Sequence, residues 1–77
     1  MEGIVTLDLH GKNTYQAKVA IDAALRRAKS GTYRLRLIHG YHGGTALRDM
    51  IRAEYAHRCR RVVSISEGTT DLVLREF

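Results

Sequence analysis

The chain has 77 residues and a mass of 8.7 kDa, which suffices for one domain and leaves no room for a second hydrophobic core. Thirteen lysines and arginines against eight aspartates and glutamates give a net charge of +5, which favours a polyanionic partner, nucleic acid first. No apolar run approaches the roughly 18–20 residues of a membrane span and no signal-peptide pattern opens the chain, so we predict a soluble cytoplasmic domain without a membrane partner.

A strand and a helix are predicted in the first third of the chain. Apolar and polar residues alternate over residues 4–9, which is the period of a half-buried strand. Asn13 and Gln16 form a capping-box pattern for a helix that begins near Thr14, and an unbroken apolar stripe follows. We expect this helix to stop at Gly31, where a glycine could take the positive φ common just past a helix end.

The rest of the chain predicts one more helix and three strands. A strand over residues 33–38 runs into the glycine-rich segment 39–44 (HGYHGG), and Thr45 is a plausible N-cap for the second helix. Strands over residues 62–66 and 72–77 follow, the last a candidate for an exposed sheet edge. The order is β-α-β-α-β-β. The tyrosines at the edge of the predicted core, with hydroxyls reaching solvent, are Tyr33 and Tyr55.

This order of elements predicts where a ligand would bind. A strand, a helix and a second strand normally form a right-handed crossover, so the first two strands should be parallel and end at the same edge of the sheet. Both helices then start at that edge, where their unpaired N–H groups and positive dipole ends suit a phosphate. The polar residues that the sequence places there are Asp8, His10, Lys12, His39 and His42.

Asp8 and His10 are a candidate acid–base pair. They stand two positions apart at the end of a strand, so both side chains lie on one face. A carboxylate beside an imidazole fixes the tautomer of the ring, as a general acid or base requires. The alternative is structural, with Asp8 tethering a loop and His10 merely tolerated at the strand end.

The glycine-rich segment 39–44 allows the backbone to approach a ligand closely, but the same glycines would also serve a plain strand-to-helix turn. It lacks the Gly-Lys-Ser/Thr ending of a P-loop and the G-x-G-x-x-G spacing of a dinucleotide-binding turn. We therefore expect no nucleotide cofactor.

Two segments resemble the motifs of a known family. Residues 7–11 (LDLHG) before a helix, and residues 38–40 (IHG) before a glycine-rich turn into residues 46–48 (ALR), resemble the small MutS-related (Smr) domain. The resemblance covers nearly the whole chain and implies a single domain over residues 1–77. It also implies an α+β fold similar to the C-terminal domain of bacterial translation initiation factor three. That fold is a two-layer α/β sandwich, with two helices on one face of a four-stranded mixed sheet.

The resemblance also implies an activity. Smr-domain proteins nick DNA or cleave RNA, and some act in mismatch repair, suppression of recombination or rescue of collided ribosomes. The expected partners are therefore nucleic acid and, as a further candidate, the ribosome, while the oligomeric state is left open. The family motifs LDLH and HGxG fall here on Asp8, His10, His39 and Gly40. At the second glycine of HGxG this chain has His42, followed by Gly43 and Gly44.

Chemistry favours RNA as the substrate over DNA. RNA carries its own nucleophile, the 2′-hydroxyl, so two imidazoles can cleave it as general base and general acid without a metal cofactor. DNA hydrolysis would call for a divalent metal held by carboxylates, and Asp8 is the one acidic residue clearly placed at the edge. Our hypothesis is that His10 and His39 are the acid–base pair, that Asp8 orients His10, and that Lys12 and the loop amides hold a phosphate.

Two alternatives stay open. The first is a zinc site, which would have to be built from Asp8, His10, His39 and His42 because the chain has one cysteine, and which ranks below metal-free chemistry. The second is a nucleic-acid- or ribosome-binding module that does not cleave.

Further residues are predicted to bind nucleic acid. Arg34 and Arg36 alternate with leucines on the second strand and would face the open side of the sheet, where they could follow a phosphate backbone. Arg48 on the second helix could line a nucleic-acid groove or simply face water, and Tyr41 in the glycine-rich loop could stack on an unpaired base. The contacts predicted from the loop itself are Gly40, Tyr41, His42, Gly43 and Gly44.

Overall fold

The computed structural model describes residues 3–40 and 45–75, and the order of elements within them is the predicted one. Two α-helices, a short 3₁₀ helix and four strands follow one another along the chain. Their bounds are β1 (Ile4–Asp8), α1 (Thr14–Arg27), β2 (Arg34–Ile38), α2 (Ala46–Tyr55), the 3₁₀ helix (Ala56–Arg58), β3 (Arg61–Ser66) and β4 (Thr69–Val73).

The four strands form one mixed sheet in the order β1-β2-β4-β3. Strands β1 and β2 are parallel, as the crossover rule requires, and β4 is antiparallel to both β2 and β3. The two helices lie on one face of this sheet, so the predicted α+β sandwich is confirmed. No helix among the described residues is long and apolar enough to cross a membrane.

The predicted position of the last strand was wrong. Strand β4 begins at Thr69 rather than at residue 72, and it lies in the middle of the sheet between β2 and β3 instead of at an edge. The polar residues Thr70 and Asp71 lie between the two predicted strands, where a loop is expected, yet both are fully buried. Burial of polar groups is tolerated when they are hydrogen-bonded, and both have partners on distant parts of the chain.

The core lies between the sheet and the two helices. Helix α1 contributes Ala17 and Ile21, and α2 contributes Ile51 and Tyr55, in agreement with the predicted stripes. The sheet side of the same cluster consists of Leu9, Leu35, Leu37 and Leu72. Because these leucines face the helices, the residues that alternate with them face the other, open side of the sheet.

The two helix starts differ in how they are capped. The predicted capping box of α1 is present: the Asn13 side chain accepts from the Gln16 N–H at 2.8 Å, and the Gln16 side chain accepts from the Asn13 N–H at 3.0 Å. Thr45 occupies the N-cap position of α2, but its hydroxyl donates to the Asp49 carboxylate at 2.9 Å and caps no backbone N–H. The start of α2 is therefore the less firmly held of the two.

Two smaller predictions also failed. Helix α1 ends at Arg27 with Ala28 in an extended conformation, and Gly31 does not have a positive φ. Tyr55 is fully buried, and its hydroxyl donates to the Asp22 carboxylate at 2.7 Å instead of reaching solvent. Burial, reinforced by this hydrogen bond, raises the pKa of Tyr55. The Tyr55–Asp22 bond thus ties α2 to α1.

Candidate functional site

The loops that follow β1 and β2 lie side by side. Asp8 is paired with Ile38 at the ends of the two parallel strands, and the Leu9 N–H donates to the Ile38 carbonyl at 2.7 Å. Each strand is followed by a His-Gly step whose glycine has a positive φ, +79° at Gly11 and +75° at Gly40. A Cβ atom added to Gly40 would lie 3.6 Å from the Cβ of His10, so the loops are in contact. The topology had predicted this proximity.

Asp8 and His10 form a hydrogen-bonded pair at this edge. Nδ1 of His10 and Oδ1 of Asp8 are 2.6 Å apart, and the same oxygen accepts from the His10 backbone N–H at 3.1 Å. These two bonds, the side-chain one foremost, hold the pKa of Asp8 below its usual value, so the carboxylate is ionised at neutral pH. An ionised carboxylate only accepts hydrogen bonds, so Nδ1 carries the proton. Nε2 of His10 then has a lone pair free to take a proton, on a side chain that is 72% exposed.

His39 has a different environment. It is buried, its Nδ1 is 2.9 Å from the carbonyl oxygen of Gly40, and its Nε2 is 2.9 Å from Oγ1 of Thr70. A carbonyl oxygen only accepts, so Nδ1 donates to it, and Nε2 of the neutral ring accepts from the Thr70 hydroxyl. Both ring nitrogens are therefore engaged within the protein.

The backbone around His39 is anchored as well. The N–H groups of His39 and Gly40 both donate to the carbonyl oxygen of Gly68, at 2.9 and 3.1 Å. Gly68 lies in the turn between β3 and β4. The loop after β2 is thus fastened to the β3–β4 hairpin through one oxygen atom.

The two imidazoles belong to opposite faces of the sheet. Thr70, the partner of His39, is paired with Leu37, and both side chains are on the face of the sheet that packs against the helices. Asp8, the partner of His10, alternates with Leu7 and Leu9 and lies on the open face. The backbones of the two predicted histidines therefore lie side by side, but their rings point to opposite faces of the sheet.

The other predicted residues at this edge have fewer contacts. Lys12 is exposed in the turn between β1 and α1, where its N–H donates to the Leu9 carbonyl at 3.1 Å. Arg48 lies in the first turn of α2, with Nε 3.9 Å from an oxygen of Asp49. The predicted binding residues outside the described ranges are Tyr41, His42, Gly43 and Gly44. Within residues 3–40 and 45–75, no three His, Cys, Asp or Glu side chains are close enough together to hold a metal ion. The zinc site considered from the sequence includes His42, which lies outside these ranges.

Arg34 and Arg36 lie on the open face, as predicted, but they share a partner that the sequence did not indicate. Arg36 makes two hydrogen bonds to Asp71, from Nε at 2.8 Å and from Nη2 at 2.9 Å, and Arg34 adds a third from Nη1 at 3.0 Å. Asp71 is fully buried beneath them. Burial alone would raise the pKa of Asp71, but the bonds from the two arginines outweigh it and leave the pKa below its usual value. The sequence signal available for placing Asp71 in a strand was the strand-forming β-branched residues around it, Thr69, Thr70 and Val73.

The arrangement described above matches a known family. The sequence profile of the Smr domain matches residues 7–74, which include both strand-end motifs and Asp71. The chain belongs to the Smr-domain family. Its structure is similar to the crystal structure of the Smr domain of Thermus thermophilus MutS2, with a TM-score of 0.71 and 36% sequence identity over 94% of this chain and 99% of that one. Among curated proteins, none has a matching sequence. Smr domains are known for binding nucleic acids and for nuclease activity.

Proposed function

We propose that this Smr domain is an endonuclease that cleaves RNA through His10, with Asp8 fixing the tautomer of the ring. The observation that carries the proposal is the 2.6 Å bond between Nδ1 of His10 and Asp8, which leaves Nε2 on an exposed ring with a free lone pair. A general base needs its acceptor atom exposed to the substrate and its other nitrogen held in place. His10 meets both requirements.

The reaction needs a base and an acid. Nε2 of His10 takes the proton of a 2′-hydroxyl, whose oxygen attacks the adjacent phosphorus, and the bond from phosphorus to the 5′-oxygen breaks as that oxygen takes a proton from a solvent water. The acid predicted from the sequence is His39. His39 would first have to release the Thr70 hydroxyl, so we assign it a positioning role for the Gly40 backbone.

Binding of the scissile phosphate is assigned to the neighbouring cations and N–H groups. Lys12 lies in the turn that follows His10 and is exposed, and Arg48 lies in the first turn of α2. Lysine and arginine side chains bind phosphate through charge-assisted hydrogen bonds, and the helix starts add positive potential. These groups would neutralise the charge that develops on the phosphate oxygens during cleavage.

The test compares two histidines. A labelled single-stranded RNA is incubated with the wild type, with His10→Ala and with His57→Ala, which changes an exposed histidine on the 3₁₀ helix after α2. We expect His10→Ala to slow cleavage by about 10²–10⁴-fold, the usual contribution of general acid–base catalysis, and His57→Ala to have no effect. Equal cleavage by the wild type and His10→Ala would refute the assignment.

A second candidate is a nucleic-acid- or ribosome-binding module without turnover. The observation in its favour is that both nitrogens of His39 are engaged, which leaves one free imidazole among the described residues of the two loops. The same assay separates the two functions. A wild-type protein that binds RNA but never cuts it, with chelator or with Mg²⁺ or Mn²⁺, would establish the binding module.

A further inference from the structure

Three arginines lie together on the open face of the sheet. Arg34 is paired with Val73 of β4, and Val73 is paired with Arg61 of β3, so the three side chains point to the same side of the sheet. Arg36 stands two residues further along β2, paired with Asp71. We call the surface formed by Arg34, Arg36 and Arg61 the arginine face.

Asp71 holds two of these guanidinium groups in a fixed orientation. A guanidinium has five N–H donors, and Arg36 uses two of them on Asp71 while Arg34 uses one. The remaining donors belong to side chains that are 34% and 25% exposed, respectively. Because Asp71 is fully buried, its single charge neutralises one arginine from below and leaves the outer edges of the guanidinium groups toward solvent.

This arrangement matches the chemistry of a phosphate backbone. Arginine donors in a planar fork bind phosphate oxygens in pairs, and a side chain that is already ordered loses less conformational entropy on binding. Arg34 and Arg36 carry two positive charges against the single carboxylate of Asp71, so this pair keeps a net positive charge. A polyanion is therefore a better fit than an acidic side chain or an apolar surface.

The arginine face is continuous with the proposed catalytic pair. Asp8 is paired with Ile38, two residues beyond Arg36 on β2, and it points to the same open side. At about 3.3 Å per residue, the row containing Arg36 lies about 7 Å from the row of Asp8, and the row of Arg34 and Arg61 lies about 13 Å from it. One strand of nucleic acid could contact both places.

We propose that the arginine face is a second contact surface for the phosphate backbone of the nucleic-acid strand that reaches Asp8 and His10, with Asp71 as its positioning residue. The inference rests on the proposed function only in taking nucleic acid as the ligand. It adds Arg61 and Asp71 to the residues predicted to contribute to nucleic-acid binding. It also predicts that the bound nucleic acid crosses the sheet from the carboxyl ends of β1 and β2 toward β3.

The experiment measures binding without cleavage. A fluorescently labelled single-stranded oligodeoxynucleotide, which has no 2′-hydroxyl, is titrated at several KCl concentrations. The test variant is Arg36→Gln/Arg61→Gln, which leaves Arg34 on Asp71. The control variant is Arg26→Gln/Arg52→Gln, which removes the same two charges from exposed positions on α1 and α2.

We expect the slope of log affinity against log salt to become less steep by about 0.7 for each arginine lost from the face, so by about 1.4 in the test variant, and to stay unchanged in the control. A thermal melt of each protein reports folding. If the double variant does not fold, the single variants Arg61→Gln and Arg52→Gln are compared instead, which leaves Arg34, Arg36 and Asp71 intact. The slope of log affinity against log salt is then expected to change by about 0.7 in Arg61→Gln.

The outcomes separate this proposal from the endonuclease. A reduced slope in the test variant alone supports the arginine face whether or not the wild type cleaves RNA. Equal slopes in the test and control variants overturn the arginine face, while cleavage through His10 stands on its own assay. A wild-type protein that binds no oligodeoxynucleotide at any salt concentration overturns the arginine face, and RNA cleavage is then judged by its own assay.

Discussion

The hydroxyl of Thr70 donates to Nε2 of His39 at 2.9 Å, although the two residues are 31 positions apart. That bond occupies the nitrogen that His39 would need for acid–base chemistry. Two roles are open to His39, positioning of the loop after β2 and general acid catalysis. They predict different results when the Thr70 hydroxyl is removed.

Thr70→Val distinguishes the two roles. Valine keeps the shape of threonine and leaves Nε2 without a donor, which should lower the free energy of unfolding by about 1 kcal/mol. If His39 positions the loop, cleavage should slow as the loop loosens. If His39 is the general acid, the freed Nε2 should leave cleavage as fast as in the wild type or faster. Single-turnover cleavage and urea denaturation measure the two effects, with Thr69→Val as the control.

Asp8→Asn should slow RNA cleavage by about tenfold or more, within the 10²–10⁴-fold that acid–base catalysis contributes as a whole. The carboxylate accepts from Nδ1 of His10 and so specifies the tautomer, whereas an amide can offer the ring either a donor or an acceptor. The ¹⁵N chemical shifts of the His10 ring should show a single tautomer in the wild type and a mixture in the variant. A variant with wild-type rate and wild-type shifts would mean that Asp8 has no part in the chemistry.

Asp71→Asn should destabilise the fold by about 1–3 kcal/mol near neutral pH, because the amide group would set a donor against the donors of Arg34 and Arg36. The folded-state pKa of Asp71 lies below its usual value of 3.8. The stability that the ionised Asp71 contributes is therefore fully present above pH 3.8 and is lost as the pH falls through the lower folded-state pKa.

The difference in unfolding free energy between the wild type and Asp71→Asn should accordingly shrink in acid. Urea titrations at neutral pH and well below pH 3.8 measure it. Asp49→Asn, at an exposed position on α2, is the control and should change stability little at either pH. A difference that stayed constant with pH would show that the charge of Asp71 does not stabilise the fold.

Gly40→Ala and Gly11→Ala form a matched pair. Both glycines have a positive φ, where an alanine costs about 1–2 kcal/mol, and neither added Cβ clashes with any of the residues that the structure describes. We expect similar losses of stability in thermal denaturation. Only Gly40 accepts a hydrogen bond from the His39 ring, so only Gly40→Ala should also disturb the His39 signals in an NMR spectrum. Equal disturbance by both variants would contradict the positioning role of His39.

Local patterns in the sequence predicted the parts of the structure that depend on near neighbours. The capping box joins residues three apart, and the parallel ends of β1 and β2 follow from a single crossover. The sequence alone therefore predicts that Asp8 and His10 lie beside the His39 loop. The direction of the His39 ring could not be predicted, because it depends on Thr70, and β4 itself was placed too late in the chain.

The errors share one physical cause. Thr70 and Asp71 are polar, and residues of this kind are buried only where distant partners satisfy them. Those partners lie far away in the sequence, His39 at 31 positions from Thr70 and Arg34 at 37 positions from Asp71. Tyr55 was misjudged for the same reason, since its acceptor Asp22 is on the other helix. A pattern read along one segment contains no information about contacts of this range.

The carbonyl oxygen of Gly68 receives the N–H groups of both His39 and Gly40. Lengthening or shortening the turn between β3 and β4 would move that oxygen, and with it the backbone beside His10. Insertions in this hairpin, remote in sequence from either histidine, should therefore alter the site as directly as substitutions within it, and related chains that differ in length there should differ in what they bind.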